Sequence, residues 1–489
     1  MKPQSIQQII GTAKQQIESG RAAEAIKLLA QATEREPQNA ALRYFLGHAL
    51  LLSGHPDPAI EQVKMAQDLA PENPISGDFL ARVYRQMGRY EEERDLLTDH
   101  IERFPEHVEG LRAMVRLLEE FGETEQAVAL CRRVLAVNPR ETSCMLAMSR
   151  MRALSTDDLE WMEKAAAADS PSVASFAYMS CGNVLHQDGQ VEKAFDYFTK
   201  GQAERRKLSN LGIEQRIEGV FDVINAFSEQ AIEQSPSGYG GERSILVAGM
   251  PRSGTTLLEQ MLACYPNIDA GGERSDVARN IRQNLPALKP ANELVRLIAA
   301  QQPDTWRKIG QSIEADVSRA ANDEHRLVDK MPFNFSILGF ALLAMPDVVA
   351  VWSRRSSEAT LWSCWRSAFS LPNLSYTLEE LGQLDGLCRG LMTFWMKRFP
   401  DRITVVDYEQ LVTEPEDTMT PLLARMGLPF DPACLDFHQR VEHVQTTSLH
   451  QVRQPLYKSS LDIPDAIRQR LTPALEASAE VQKKLAAAY

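Results

Sequence analysis

The residues best suited to chemistry lie in Gly249-Met-Pro-Arg-Ser-Gly-Thr-Thr256. An apolar run, Ser244-Ile-Leu-Val-Ala248, precedes them, and Leu257-Leu-Glu-Gln-Met-Leu262, with helical spacing, follows. A strand, a tight Gly/Ser turn around Ser253 and a helix N-terminus make an anion site. The free N–H groups of the first helical turn point outward, and the helix dipole favours negative charge there. Gly254 lets the backbone come close to a ligand, and Thr255 and Thr256 add hydroxyl donors. Arg252 offers a permanently charged fork for phosphate or sulfate oxygens. The nearest standard pattern is the nucleotide P-loop, G-x-x-x-x-G-K-[ST]. Gly249 and Gly254 keep its spacing and Thr256 takes the last place, but Thr255 stands where the lysine belongs. Without that lysine, which reaches the β/γ-phosphates, an ordinary ATPase or kinase is disfavoured.

The elements that must position this turn alternate strand and helix. Arg326-Leu-Val-Asp329 reads as a short strand ending at Lys330, and Asp347-Val-Val-Ala-Val-Trp-Ser-Arg-Arg355 as a buried strand leading into a helix over 358–369. Arg402-Ile-Thr-Val-Val-Asp-Tyr-Glu409 is a further strand, whereas Ile268-Asp-Ala-Gly-Gly-Glu-Arg274 reads as a loop at the mouth of a cleft. Apolar strands alternating with helices predict a central parallel sheet covered by helices. In such sheets a ligand sits beyond the carboxyl ends of the strands, where Arg252, Lys330 and Arg355 gather. Three basic strand ends beside an anion-binding turn suit a polyanionic ligand. Trp352, Trp362, Trp365 and Trp395 are expected in core or cleft wall. The spacing of His438, His443 and His450 reads as loop, not as a metal site.

At 489 residues the chain exceeds one ordinary core. Its net charge of −13 disfavours a general nucleic-acid surface. Seven widely spaced cysteines without a C-x-x-C predict reduced thiols and no zinc site. No apolar signal core opens the sequence, and no run approaches the roughly 18 apolar residues of a membrane helix, so a cytoplasmic protein without a membrane span is expected.

The first two hundred residues repeat. Pro37, Pro71, Pro105 and Pro139 are each 34 residues apart, as are Gly20, Gly54, Gly88 and Gly122. This is the period of the tetratricopeptide repeat, two helices per unit. Small residues such as Gly47 and Ala59 let paired helices approach, the glycine serves the turn, and the proline ends the second helix. The pattern decays after Pro139 and returns at Gly182, Gly189, Ala194 and Phe198. The expected division is an all-α tetratricopeptide-repeat solenoid over 1–206, a Gly/Pro/Ser-bearing connector over 207–242, and an α/β P-loop-like domain over 243–489. Such solenoids present a concave surface to partners, or serve only as scaffold.

Residues 243–460 resemble the sulfotransferases that use 3′-phosphoadenosine 5′-phosphosulfate, closest in pattern to the tyrosylprotein branch and its repeat-bearing bacterial relatives. The resemblance implies that Arg252, Ser253, Gly254, Thr255 and Thr256 bind the 5′-phosphosulfate, and that Arg355 and Ser363 grip the 3′-phosphate. It also implies nucleotide contacts from Tyr408, and from Gln451 and Val452 in the late loop Ser448-Leu-His-Gln-Val-Arg-Gln-Pro455. Glu273 matches the general base, Lys330 the lysine that meets the reacting sulfuryl group, and Ser448 the serine at the bridging oxygen. One departure concerns a second arginine four positions after the serine: Ser367 stands there, with Arg366 one place off.

Sulfuryl transfer is an in-line displacement helped by positioning and by neutralising equatorial and leaving oxygens. A sulfuryl group carries less charge than a terminal phosphoryl group, so no metal is expected. The acceptor hydroxyl stays open among protein tyrosine, glycan and others. A protein, peptide or glycan acceptor held by the repeats is the expected partner, and a homodimer stays open. Two alternatives remain: a non-catalytic repeat scaffold whose P-loop-like domain binds nucleotide, and a kinase, which the missing lysine opposes.

Overall fold

A computed structural model of the chain describes residues 5–167, 170–208, 212–233, 238–285, 304–322, 324–369, 377–439, 452–458 and 461–489. The chain divides into two compact units, Met1–Met148 and Ser149–Tyr489.

The first unit is a run of helix pairs: Ile6–Glu18 with Ala22–Arg35, Ala40–Leu52 with Pro56–Leu69, Ile75–Gln86 with Tyr90–Arg103, and Val108–Phe121 with Thr124–Val137. The turn glycines sit where the 34-residue period puts them, and their conformation explains the choice. Gly20, Gly54, Gly88 and Gly122 have φ between 70° and 80°, a left-handed turn that a side chain would strain. Within the second pair, a Cβ on Gly47 would lie 2.4 Å from Val63 Cγ2, so only glycine allows that approach. Ala25, Leu29, Leu42 and Ala49 close one continuous core between neighbouring pairs. Each fully buried leucine contributes on the order of 2 kcal/mol.

The second unit contains a five-stranded parallel sheet in the order β2-β3-β1-β4-β5. Its strands are β1 (Ser244–Ala248), β2 (Ile268–Ala270), β3 (Arg326–Asp329), β4 (Val349–Arg354) and β5 (Ile403–Asp407). Every residue of β1 is buried, as the central strand of a covered sheet requires. From β1 the chain moves to one side for β2 and β3, then to the other for β4 and β5. A crevice therefore opens beyond the carboxyl end of β1. The short strand β2 corrects the sequence reading, which gave its residues to a loop. With three residues and only Ile268 buried, β2 carries too little apolar pattern to declare itself.

The helices Pro171–Gln187 and Val191–Arg206, read from sequence as the end of the repeats, fall in the second unit. Their contacts explain why. The Phe195 ring stacks on Trp362, centroids 5.8 Å apart and planes within 9°, and Gln202 Nε2 donates to the Trp365 carbonyl at 2.8 Å. The helix that carries both tryptophans, Ser357–Trp365, is shorter than the predicted 358–369. The four tryptophans named above are buried, as expected. Helix Leu378–Arg398 packs against Thr472–Ala486 through Gly382, Gly386 and Gly390; a Cβ at Gly382 would meet the Ala474 carbonyl oxygen at 1.9 Å. Among the described residues the seven cysteines form no disulfide with one another, and no helix is long and apolar enough to cross a membrane.

Candidate active site

The turn after β1 is pinned from three sides. Gly249 N–H donates to the Pro332 carbonyl at 3.1 Å, Ser353 Oγ donates to the Ser253 carbonyl at 3.0 Å, and Cys364 Sγ donates to the Pro251 carbonyl at 3.2 Å. Arg252 takes a left-handed φ of 69°, a strained conformation for a side-chain-bearing residue that marks a site held in place by its surroundings. Gly254 caps helix Thr255–Leu262 at φ 97°, and a Cβ there would lie 2.4 Å from Tyr408 Cδ2. The glycine thus lets the Tyr408 ring lie against the helix start.

Two arginines converge beside the turn. Arg252 Nε donates to Ser363 Oγ at 3.0 Å, and Arg355 Nη1 donates to the Arg252 carbonyl at 3.1 Å. The Arg355 guanidinium lies over the Tyr408 ring, 4.4 Å from its centroid. Burial pulls the pKa of Arg252 down, and the nearby Arg355 charge adds to the shift. Arg366 is half-buried close by; desolvation and repulsion from Arg252 and Arg355 bring its pKa to about 10. It bonds to His186, whose pKa burial and Arg366 push down to about 4. The arginine that sequence placed one position off the family pattern therefore still belongs to the cationic cluster. Ser367 instead donates its hydroxyl back to the Ser363 carbonyl at 2.7 Å.

A pocket partly open to solvent adjoins this cluster. Arg252, Gly254, Thr256, Arg355, Tyr408 and Val452, all expected from sequence, line it, and Tyr457 adds a wall that sequence reading did not name. Ser253 and Thr255 are buried in the turn itself, and Ser253 Oγ has no hydrogen-bond partner.

At the end of β3, Lys330 and Glu273 form a pair outside that pocket. Lys330 Nζ lies 3.1 Å from Glu273 Oε1; the lysine side chain is 1% exposed and the glutamate 41%. The backbone brings them together, because Gly271 N–H donates to the Val328 carbonyl and Lys330 N–H to the Gly272 carbonyl, both at 2.9 Å. Glu259, on the helix after the turn, fixes the same loop by accepting the Gly272 N–H at 2.8 Å. Burial pushes the Glu259 pKa up, and Lys330 opposes the shift. Sequence reading missed Glu259, since a lone acid on an amphipathic helix reads as solvated. Asp329, beside Lys330, is buried and its pKa rises to about 7, although Oδ1 accepts the Met331 N–H at 3.1 Å. Ser448 and Gln451 lie outside the described residues.

Residues 244–432 match the model of the sulfotransferase family, and residues 16–83 that of the tetratricopeptide repeat. An uncharacterized protein of Aquifex aeolicus is 28% identical over 439 residues, 87% of this chain and 57% of its own length. A protein-tyrosine sulfotransferase of Drosophila melanogaster is 24% identical over 224 residues, 43% of each chain. The nodulation protein NoeE of Sinorhizobium fredii is 28% identical over 240 residues, 44% of this chain and 57% of its own. The chain spans about half the length of the curated relatives it matches. A tetratricopeptide repeat and a sulfotransferase-family domain are thus carried on one chain.

Proposed function

We propose that the protein transfers a sulfuryl group from 3′-phosphoadenosine 5′-phosphosulfate to a hydroxyl acceptor. The observation that carries the reading is the Lys330–Glu273 pair, held at a strand end next to the anion-binding turn. The donor fits the residues present. Ser253 Oγ is buried without a partner in the turn, and the adjoining pocket sets two arginines and an aromatic face together. In this reading the 253–256 backbone and hydroxyls take the 5′-phosphosulfate. Arg355 and Ser363 take the 3′-phosphate, and Tyr408 and Val452 enclose the nucleotide.

Glu273, the exposed member of the pair, accepts the proton of the acceptor hydroxyl. Lys330, buried and paired with Glu273, meets the charge that develops on the oxygens around sulfur. Arg252 adds to that field from the opposite edge of the turn. The acceptor, whether protein tyrosine, glycan or another hydroxyl, reaches Glu273 from solvent, and the repeats serve to hold it.

The test is nucleotide preference. The chain should be stabilised by 3′,5′-adenosine bisphosphate without magnesium, far more than by ADP with magnesium. A binding free energy that appears only in the folded state raises stability by about 2.7 kcal/mol at a hundredfold excess over Kd. Stabilisation by magnesium-ADP alone would replace this reading with a kinase or a nucleotide-binding scaffold.

A further inference from the structure

Within the first unit, three side chains break the 34-residue repeat and meet at one point. His100 occupies the place of Ala32, Ala66 and Val134, all buried small or apolar residues. His107 occupies the place of Asn39, which caps its helix by accepting the Leu42 N–H; His107 makes no such cap. Asp78 occupies the place of Tyr44 and Arg112. His107 Nε2 lies 2.8 Å from Asp78 Oδ2, and His100 Nε2 lies 3.2 Å from Asp78 Oδ1. One donor atom from each of the three falls within 4.8 Å of the others.

The surroundings are shaped for the imidazole. A Cβ on Gly77 would lie 2.4 Å from His100 Nδ1, and a Cβ on Gly110 would lie 2.6 Å from His100 Cδ2. The corresponding positions around Ala66 are Arg43 and Ser76, which carry side chains. Two glycines therefore open a slot for a ring that is 1% exposed, and neither ring nitrogen has a well-aligned hydrogen-bond partner. His100 Nε2 meets only the Asp78 carboxylate and Nδ1 meets nothing, so the polar edge of this buried ring is thinly satisfied.

We infer that Asp78, His100 and His107 form a binding site for a divalent transition-metal cation, with zinc the best match. Two imidazole nitrogens and one carboxylate oxygen are zinc-type ligands at about 2.0–2.2 Å, which sets neighbouring ligand atoms about 3.3 Å apart in a tetrahedron. From the single oxygen Asp78 Oδ1, His107 Nε2 lies at 3.0 Å and His100 Nε2 at 3.2 Å, both close to that edge. His107 and Asp78 are 20% and 27% exposed, so the fourth position opens to solvent, where water or a partner's side chain completes the shell.

The test uses the full chain and cobalt(II) as a spectroscopic probe. Visible absorption of tetrahedral cobalt should appear with wild type and be displaced by zinc. His100→Ala installs the residue that the first two repeats carry, so its fold should persist. Cobalt affinity at this site should fall at least ~100-fold, with the tetrahedral bands lost. Asp78→Asn, which keeps the shape, should weaken binding in the same direction. Absence of the bands in wild type, or equal binding by wild type and His100→Ala, would overturn the assignment and leave the three residues as a packing contact.

Discussion

If Arg355 reads the 3′-phosphate, replacing it should erase the preference for a 3′,5′-bisphosphate over a 5′-monophosphate. Arg355 is 9% exposed, its guanidinium rests 4.4 Å from the Tyr408 ring centroid, and Nη1 donates to the Arg252 carbonyl. It is therefore held in position before any ligand arrives, and little side-chain entropy opposes binding. A hydrogen bond to a charged group contributes about 1.5–3 kcal/mol, which is roughly 10- to 150-fold in Kd. At a ligand concentration of a hundred wild-type Kd, wild type gains about 2.7 kcal/mol. A variant with hundredfold weaker binding gains only about 0.4 kcal/mol under the same conditions. Isothermal titration and ligand-dependent unfolding, each variant compared with its own free form, measure both quantities. Arg355→Ala should bind 3′,5′-adenosine bisphosphate and AMP alike. Arg355→Lys should recover only part of the difference, because an ammonium cannot stack on Tyr408 and present a planar fork together. A bisphosphate preference undiminished in Arg355→Ala would refute the assignment of the 3′-phosphate to this residue.

Four further outcomes follow from the same geometry. Lys330→Met should lower turnover of the sulfuryl donor by about 10²–10³ with nucleotide affinity nearly unchanged. Glu273→Gln should lower turnover too, but should cost more folding stability than Lys330→Met, because it strands a nearly buried ammonium. Solvent at the half-exposed glutamate keeps that cost to about 1–2 kcal/mol, below the 3–5 of a fully buried pair, as denaturant titration would test. Asp329 has a folded pKa of about 7 against an ordinary value of 3.8. Its raised pKa favours the folded state below about pH 4, and that advantage is lost as pH rises through 7. Asp329→Asn, a mimic of the protonated acid, should gain stability relative to wild type between pH 4 and 7, by up to a few kcal/mol; a flat difference would contradict the shift. Gly254→Ala should weaken bisphosphate binding beyond its effect on the fold, since its Cβ would displace Tyr408 and its φ of 97° would add about 1–3 kcal/mol of strain.

Much of this was legible in the sequence because the signals are local. The left-handed turns of the repeats need glycine, so Gly20, Gly54, Gly88 and Gly122 announce the period directly. The anion turn is likewise one contiguous strand–turn–helix, and Arg252, Arg355 and Tyr408 sit at ends of strands or turns that hydrophobic pattern alone locates. What escaped is what depends on contacts across the chain. The division between units falls before Pro171 because Phe195 and Gln202 pack on the Trp362 helix, over 160 residues later, which no periodicity encodes. The partnership of Arg252 with Ser363 spans 111 residues.

Glu259 links the turn after β1 to the loop that carries Glu273. It is 3% exposed and lies two turns or less into the helix that follows the turn after β1, yet it accepts the Gly272 N–H and faces the charge of Lys330. In the function proposed above, one helix therefore sets both halves of the site: its first residues are those assigned to the anion, and Glu259 fixes the loop that carries Glu273. A shift of the Thr255–Leu262 helix would move the anion turn and the proton acceptor together. This preserves the spacing that in-line transfer requires, because positioning at that scale decides the rate.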